Sequence, residues 1–244
     1  MKQTPLSTTI QQNLTAKQFL EKLTALKPAQ STDNSKFFHD TDKKNKFLGV
    51  RMANIFSLAK QFMQMPLDEI EKLLNSDFYE ARMAAVSIMD FKARDKKITD
   101  GEKKVLYELY ISRHDRINNW DLVDRSAPYV VGGYLFNKSR MPLYKLAKSK
   151  NTWERRTAIV STWYFIRQND VDDTFKIAAL LIDDKEELVN KAVGSWIREA
   201  GKRDKQQLLN FLEKYAATMP KITLRYAIEK LDKKQKDFFL NLKK

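Results

Sequence analysis

Residues 153–163 read WERRTAIVSTW, in which the basic Arg156 stands two positions before the small apolar Ala158. The same arrangement occurs in three further stretches, YEARMAAVSIM (79–89), LVNKAVGSWIR (188–198) and ITLRYAIEKL (222–231). The basic residues at this position are Arg82, Arg156, Lys191 and Arg225, separated by 74, 35 and 34 positions. Because 74 is close to twice the shorter separations, we expect one divergent repeat between the first two.

A repeat near 35 residues with two helices in each unit is typical of solenoids built from helical hairpins. A single hairpin cannot bury its apolar face, whereas stacked hairpins bury a continuous core. We therefore expect an all-α fold, a curved α-solenoid of about six helical-hairpin repeats with a concave basic groove. Basic residues at equivalent positions would form a row along that groove. Alternatively, they are ordinary solvated residues at the ends of the repeats, with no role in binding.

The composition agrees with a helical, basic protein. Only 6 Gly and 6 Pro occur in 244 residues, and helix formers are abundant. No segment alternates apolar and polar residues for long, so we predict no strands. The 45 Lys and Arg against 31 Asp and Glu give a net charge of +14. This surplus favours nucleic acid or an anionic membrane as a partner, but it also fits a generically basic protein.

Several classes of site are excluded by residue usage. The chain has no Cys, which removes disulfides, thiolate metal sites and a Cys nucleophile. His39 and His114 are isolated from each other and from any metal-binding pattern, so we expect no metal and no cofactor. The uncharged run from Gln3 to Ala16 is too short and polar to span a membrane. With no secretory signal at the amino terminus, we expect a cytoplasmic location. We also expect a monomer.

The sequence predicts a short amino-terminal part and one long repeat domain. We expect residues 1–36 to form a tail, a helix and a loop that pack on the first repeat, and residues 37–244 to form one helical-repeat domain. The segment 231–244 should be a capping helix that covers the last repeat with Phe238, Phe239 and Leu242. The helix of the first part carries Phe19, Leu20, Leu23 and Leu26. The side chains expected in the core are Tyr134, Phe136, Trp163 and Phe165.

The stretch NNWDLVDRSAPYVV (118–131) falls in the gap between the first two repeats. Trp120 and Asp124 are four positions apart, which on a helix places an indole and a carboxylate on one face. The remaining members of this predicted face are Ile117, Ala127 and Val131. An acidic residue therefore stands among residues that are otherwise expected to pack in the core.

Two explanations account for Asp124. Arg156, one repeat along, can pair with it in a structural ion pair. Alternatively, the carboxylate interacts with a transient cation. Cleavage of an N-glycosidic bond develops positive charge on the sugar. A fixed carboxylate stabilises that charge or orients the attacking water. An indole one turn away adds cation–π attraction. The residues alone leave both explanations open.

Matching segments through most of the chain resemble the AlkD-type DNA glycosylases. They are FLGVR (47–51), ARMAAVSIMD (81–90), NNWDLVD (118–124), TWERRTAIV (152–160) and KEELVNKAVGSWIREAGKRD (185–204). The resemblance implies HEAT-like repeats and a monofunctional hydrolase that removes N3- and N7-alkylated purines from duplex DNA without a cofactor, in base excision repair. It also implies that the damaged base is still stacked in the duplex during the reaction, and that the enzyme associates with the nucleoid.

The same resemblance assigns residues. Its Trp-Asp-x-x-Asp element implies that Trp120 lies against the sugar and that Asp124 is the catalytic carboxylate, with Asp121 in a packing or capping role. Its Trp-x-x-Arg element implies that Arg156 holds a phosphate beside the lesion and positions Asp124. The residues expected to bind DNA are Arg51, Arg155, Lys191, Ser195, Trp196, Arg198 and Lys202.

Two segments depart from the family pattern. The family reads Gly-Trp-x-x-Arg-Glu where this chain has GSWIRE, so Ser195 occupies the second aromatic position and the indole moves to Trp196. One step is about 100° around a helix, so Trp196 faces either the core or the DNA. After FLGVR, Ala53 and Phe56 replace a proline and an arginine. A phosphate contact is therefore absent there unless Arg51 supplies it.

Other functions remain in competition with a glycosylase. A noncatalytic HEAT-repeat module would bind DNA through the same groove, and Ser195 in place of the expected Trp favours it. A protein–protein scaffold is a third hypothesis, in which the basic residues have another partner.

Overall fold

The computed structural model describes residues 14–29 and 45–242. Its helices are α1 (Ala16–Ala25), α2 (Met52–Gln61), α3 (Leu67–Leu74), α4 (Tyr79–Ala93), α5 (Asp100–Ser112), α6 (Trp120–Ala127), α7 (Gly133–Leu135), α8 (Met141–Leu146), α9 (Thr152–Arg167), α10 (Asp172–Leu180), α11 (Glu187–Gly201), α12 (Lys205–Tyr215), α13 (Lys221–Ala227) and α14 (Lys233–Asn241). A 3₁₀ turn (His114–Arg116) precedes α6 and a π turn (Pro128–Gly132) follows it. Within these ranges there is no strand, only an isolated bridge between Lys46 and Phe78.

Helices α2, α4, α6, α9, α11 and α13 form a central layer in which each helix packs on the next. The intervening helices pack against this layer, α3 on α4, α8 on α9, and both α10 and α12 on α11. This arrangement is an α-solenoid, so the predicted fold class is confirmed. The recognised repeats fall on α4, α9, α11 and α13, and α6 occupies the place predicted for the divergent one. The number of repeats stays a prediction.

The central helices are buried because they have neighbours on several sides. Every residue of α4 from Tyr79 to Asp90 is buried. Small residues allow the closest approaches: a Cβ added at Gly194 of α11 would lie 2.5 Å from the Thr223 carbonyl oxygen and 2.6 Å from the Tyr226 Cβ. Gly132 is similarly close to the Ser161 carbonyl oxygen. These contacts fix the distances between neighbouring repeats.

The ends of the chain follow the predictions in part. In α1, Phe19 and Leu23 are buried, but Leu26 lies at its end and is exposed. Most of the predicted tail and loop, residues 1–13 and 30–36, lies outside the described residues, as does His39. In α14 only Phe239 is buried, so the expected cover by Phe238 and Leu242 is wrong. No described helix is long and apolar enough to cross a membrane.

A buried polar contact joins the turn before α6 to α9. His114 is 4% exposed, and its Nε2 lies 2.8 Å from the Thr157 hydroxyl oxygen. The Tyr110 hydroxyl oxygen lies 3.0 Å from the same atom. Burial lowers the pKa of His114 below its usual 6.5, because the charged imidazolium would lose its hydration. The folded chain therefore favours the neutral form of this imidazole more than the unfolded chain does.

We expect Gly194→Ala to lower the free energy of unfolding by roughly 1–3 kcal/mol, because the methyl group overlaps atoms of α13. Gly101 in α5 is the matched control, since a Cβ there meets no atom closer than 4.0 Å. Gly101→Ala should leave stability unchanged or raise it by up to about 1 kcal/mol. Urea denaturation followed by circular dichroism measures both variants. Equal effects would contradict the close packing of α11 on α13.

His114 gives a pH-dependent prediction. Because its folded pKa lies below the unfolded value of 6.5, its contribution to stability is complete above that pH and is lost as the pH falls through the lowered pKa. We expect His114→Gln to remove this component. The free energy of unfolding should then fall less steeply from neutral to mildly acidic pH than in the wild type, as measured by urea denaturation at several pH values. An unchanged slope would rule out this role for His114.

Candidate active site on α6

The start of α6 is fixed by Asp121. Its Oδ1 accepts a hydrogen bond from the Asn119 side-chain amide at 2.8 Å, and the Tyr79 hydroxyl of α4 donates to its Oδ2. These contacts agree with the packing or capping role expected of Asp121. They leave Trp120, the first residue of α6, with 39% of its surface exposed.

The sequence predicts one continuous helix face for the stripe that contains Asp124. In the structure this face is interrupted. Pro128 has no N–H to donate to the Asp124 carbonyl oxygen, and the chain widens there into the π turn. Ala127 and Val131 remain in the core. The Asp124 side chain, one turn earlier, is 31% exposed, so the acid lies at the edge of the core and not inside it.

Asp124 forms a two-point ion pair with Arg156 of α9. The Arg156 Nε donates to Oδ1 at 3.0 Å, and Nη2 donates to Oδ2 at 2.8 Å. The third nitrogen, Nη1, donates to the carbonyl oxygen of Leu188, the second residue of α11. The Arg156 side chain is only 7% exposed. One guanidinium therefore connects α6, α9 and α11, and the carboxylate is its solvent-facing partner.

The surroundings act on the Asp124 carboxyl in opposite directions. Burial raises its pKa, because the charged form loses hydration, whereas the Arg156 guanidinium favours the charged form. Two parallel charge-assisted hydrogen bonds also fix the orientation of the carboxylate. A fixed anion beside an exposed indole is an arrangement suited to a positively charged group.

Trp120 and Asp124 line a cavity of about 550 Å³ between α6, α9, α11 and α13, the α9/α11 cavity. The sequence-predicted residues that join them there are Arg156, Lys191, Ser195, Trp196 and Arg198. The structure therefore brings together the three expected catalytic residues and four of the expected DNA-binding residues.

Asn151 stabilises the start of α9 by accepting a hydrogen bond from the Trp153 N–H at 2.9 Å.

Two indoles form one side of the α9/α11 cavity. Trp196 is half-buried and packs on Trp163, with ring centroids 5.2 Å apart and planes 31° apart. Trp163, expected in the core, is half-buried: it packs against the core and also lines the cavity. Its distance of seven positions from Arg156 on α9 places both residues on one helix face. That spacing is a signal that the sequence analysis missed.

The cations of the α9/α11 cavity have acidic neighbours. Lys191 Nζ lies 2.5 Å from Glu187, and Arg198 Nε lies 3.1 Å from Glu199. Arg198 also pairs with Glu229. Their positive charge is therefore partly balanced, and binding to a phosphate would require exchange of these partners.

Three residues expected to bind DNA, Arg51, Arg155 and Lys202, are not in the lining of the α9/α11 cavity. Arg155 Nε lies 2.6 Å from Asp184, and its Nη1 donates to the Ser149 and Lys150 carbonyl oxygens, both at 3.0 Å. These contacts give Arg155 a structural role at the junction of two repeats. Lys202 Nζ lies 2.7 Å from Glu199.

The expected row of basic residues requires one correction. Arg82 is 1% exposed, and its Nη1 donates to the Ser76 carbonyl oxygen at 2.9 Å. The side-chain amide oxygen of Asn45 accepts from Nη2. Arg82 therefore stabilises the loop before α4 and presents no charge to solvent, whereas Arg225, at the corresponding position of α13, is exposed.

Trp120 and Asp124 also line a second cavity of about 740 Å³ on their other side, the α2/α4 cavity. Arg51 and Phe56 belong to its lining. The residue that replaces the expected arginine thus supplies an aromatic surface. Nothing in the sequence pattern had indicated a cavity here. Among the described residues there is no group of three or more side chains suited to a metal ion.

Comparison with known proteins places this chain in a family. A sequence model described as DNA alkylation repair enzyme matches residues 19–231. A solved structure described as a predicted DNA alkylation repair enzyme from Enterococcus faecalis has a similar fold, with a TM-score of 0.61. It has 17% sequence identity, and the alignment covers 84% of this chain and 100% of that one. No curated protein is significantly similar in sequence.

The family match covers most of the chain, including α6, α9 and the residues that surround Asp124. The resemblance seen in the sequence segments is therefore confirmed. The chain belongs to the DNA alkylation repair enzyme family.

Proposed function

We propose that this protein is a monofunctional DNA glycosylase that hydrolyses the N-glycosidic bond of cationic N3- or N7-alkylated purines, such as 3-methyladenine and 7-methylguanine, in duplex DNA. The reaction leaves an abasic site and begins base excision repair. The observation that carries the proposal is an oriented carboxylate, Asp124, beside an exposed indole, Trp120, in a cavity lined by cations. Family membership supports a role in DNA alkylation repair.

The chemistry requires little of the protein because the leaving group is already charged. As the C1′–N bond breaks, its electron pair neutralises the purine, and positive charge develops on the sugar. Asp124 stabilises that charge and orients the water whose oxygen bonds to C1′. The proton lost by this water passes to the carboxylate or to solvent. No metal or redox cofactor is required.

The neighbours of Asp124 have supporting roles in this proposal. Trp120 lies against the deoxyribose and adds cation–π attraction to the developing charge. Burial raises the pKa of Asp124, and Arg156 opposes this by favouring the ionised carboxylate, which it also orients. Trp163 and Trp196 supply the aromatic surface that Ser195 lacks, on the opposite side of the α9/α11 cavity.

DNA binding is proposed to depend on phosphate contacts. Basic side chains displace condensed counterions and give affinity that falls steeply with salt. We propose residues 37–244 as one DNA-binding repeat domain, acting as a cytoplasmic monomer that joins the nucleoid when it binds DNA. The residues proposed to contact DNA are Arg51, Arg155, Lys191, Ser195, Trp196, Arg198 and Lys202.

A noncatalytic DNA-binding module is the second candidate. The two-point ion pair with Arg156 favours it, because the negative charge of Asp124 is already balanced. Ser195 in place of the expected Trp is a further argument. Salt-dependent binding to alkylated duplex DNA without release of free base would support this candidate.

We expect Asp124→Asn to slow the release of 7-methylguanine from alkylated duplex DNA by at least about 100-fold, a loss typical of removing one transition-state charge contact. Single-turnover kinetics with chromatography of the free base measures the rate. Asp100→Asn in α5 is the matched control, since that side chain is 72% exposed and lies outside both cavities. Undiminished release by Asp124→Asn, or no release by the wild type above the spontaneous rate, would contradict the proposal.

Arg156→Gln tests the electrostatic role of the guanidinium. Its loss removes the interaction that lowers the pKa of Asp124 against the effect of burial, so this pKa should rise. The reaction needs the ionised carboxylate, and the acidic limb of the pH–rate profile should therefore move to higher pH. A profile that keeps its acidic limb while only its amplitude falls would show that Arg156 does not control the ionisation of Asp124.

A further inference from the structure

The Trp120 indole lacks the support that Asp124 receives from Arg156. It is 39% exposed, and nothing in the described part of the chain makes a hydrogen bond or a ring contact with it. The backbone at the start of α6 therefore sets the direction in which this side chain points. Alignment of this kind matters for a reaction, since a displacement of about 1 Å can lower a rate by about 100-fold.

The start of α6 is held by a carboxylate instead of an N-cap side chain. The side chain of Asn119, at the N-cap position, accepts no hydrogen bond from the helix. Asp121 Oδ1 instead accepts from the Leu122 N–H at 2.9 Å and from the Asn119 side-chain amide at 2.8 Å. Asp121 therefore satisfies one of the free N–H groups of the first turn. It also connects residues on both sides of Trp120.

The second oxygen of Asp121 is held by the neighbouring repeat. The hydroxyl of Tyr79, the first residue of α4, donates to Asp121 Oδ2. Burial raises the pKa of the Tyr79 phenol well above its usual value, so the phenol keeps its proton and remains the donor. This hydrogen bond is the contact through which α4 acts on the position of Asp121.

Tyr79 is itself fixed by its surroundings. It is 4% exposed, and its N–H donates to the Lys46 carbonyl oxygen at 2.9 Å. Its ring lies 5.7 Å from the Phe47 ring, and the Arg82 guanidinium lies 6.0 Å from its centre. A hydroxyl on a ring that is locked by packing holds its acceptor more closely than a mobile side chain would.

We propose that Tyr79 is a positioning residue for the reaction at Asp124: through Asp121, its hydroxyl holds the Trp120 indole in the orientation that lies against the deoxyribose. This inference rests on the proposed glycosylase function. Tyr79 acts across the contact between α4 and α6. Helix α4 thus contributes to a site whose ion pair comes from α6 and α9.

Tyr79→Phe keeps the ring and removes the hydroxyl. Tyr144→Phe is the matched control, because the Tyr144 hydroxyl of α8 donates to the Asp173 carboxylate of α10 and neither residue lines the two cavities beside α6. We expect Tyr79→Phe to slow single-turnover release of 7-methylguanine by about tenfold or more, and Tyr144→Phe to leave the rate unchanged. Equal rates in the two variants would overturn the proposal.

A second comparison separates positioning from a general loss of structure. In Trp120→Ala the indole is absent, so the addition of Tyr79→Phe should cause no further slowing, although the same change slows the wild type. Equal slowing in both backgrounds would refute the inference, because Tyr79 would then act independently of Trp120.

The orientation of the indole is also measured without the reaction. Protein labelled with fluorotryptophan gives one fluorine NMR signal for each of its four Trp residues, and Trp120→Phe identifies the signal of Trp120. We expect Tyr79→Phe to shift or broaden this signal and Tyr144→Phe to leave it unchanged. A Trp120 signal that is the same in Tyr79→Phe and in the wild type would contradict the positioning role.

Base release from alkylated duplex DNA by the wild type is measured in parallel. Absence of release contradicts the glycosylase function, and the fluorine signal then still shows whether Tyr79 positions Trp120. Release by the wild type with no loss in Tyr79→Phe contradicts the positioning role alone. The two failures are therefore distinguishable.

Discussion

The ion pair between Asp124 and Arg156 is the constraint on which the site depends. A guanidinium that is 7% exposed must be fully paired, because an unpaired buried charge costs several kcal/mol. Its hydrogen-bond acceptors are the Asp124 carboxylate of α6 and the Leu188 carbonyl oxygen in the first turn of α11. The same interaction therefore holds neighbouring repeats together and orients a carboxylate toward two cavities.

The repeat architecture explains why structural and functional residues occupy equivalent positions. The residues in question are each the fourth or fifth residue of a central helix, namely Arg82, Asp124, Arg156, Lys191 and Arg225. Burial separates their roles: Arg82 stabilises a loop, Arg156 supports Asp124, and Lys191 and Arg225 reach solvent or a cavity. The repeats of a solenoid thus place one residue at the same position of each central helix, and local packing decides which of these residues contact a ligand.

Much of the fold followed from the sequence because the period of the repeats is a local signal. The spacing located the divergent repeat at α6, and the family segments pointed to Asp124 and Arg156. The pairing of Trp163 with Trp196 and the α2/α4 cavity depend on contacts between helices that a linear pattern does not specify. The burial of Arg82 has the same origin, since its partners are carbonyl oxygens of a loop.

The central claim is that Asp124 acts on the reacting sugar and that Arg156 acts through Asp124. A double-mutant cycle of Asp124→Asn, Arg156→Gln and the combined variant, measured as single-turnover base release, tests it most directly. The account predicts strong non-additivity, with the combined variant no slower than Asp124→Asn alone. Additive losses in activation free energy would contradict it, because Arg156 would then act independently of the carboxylate.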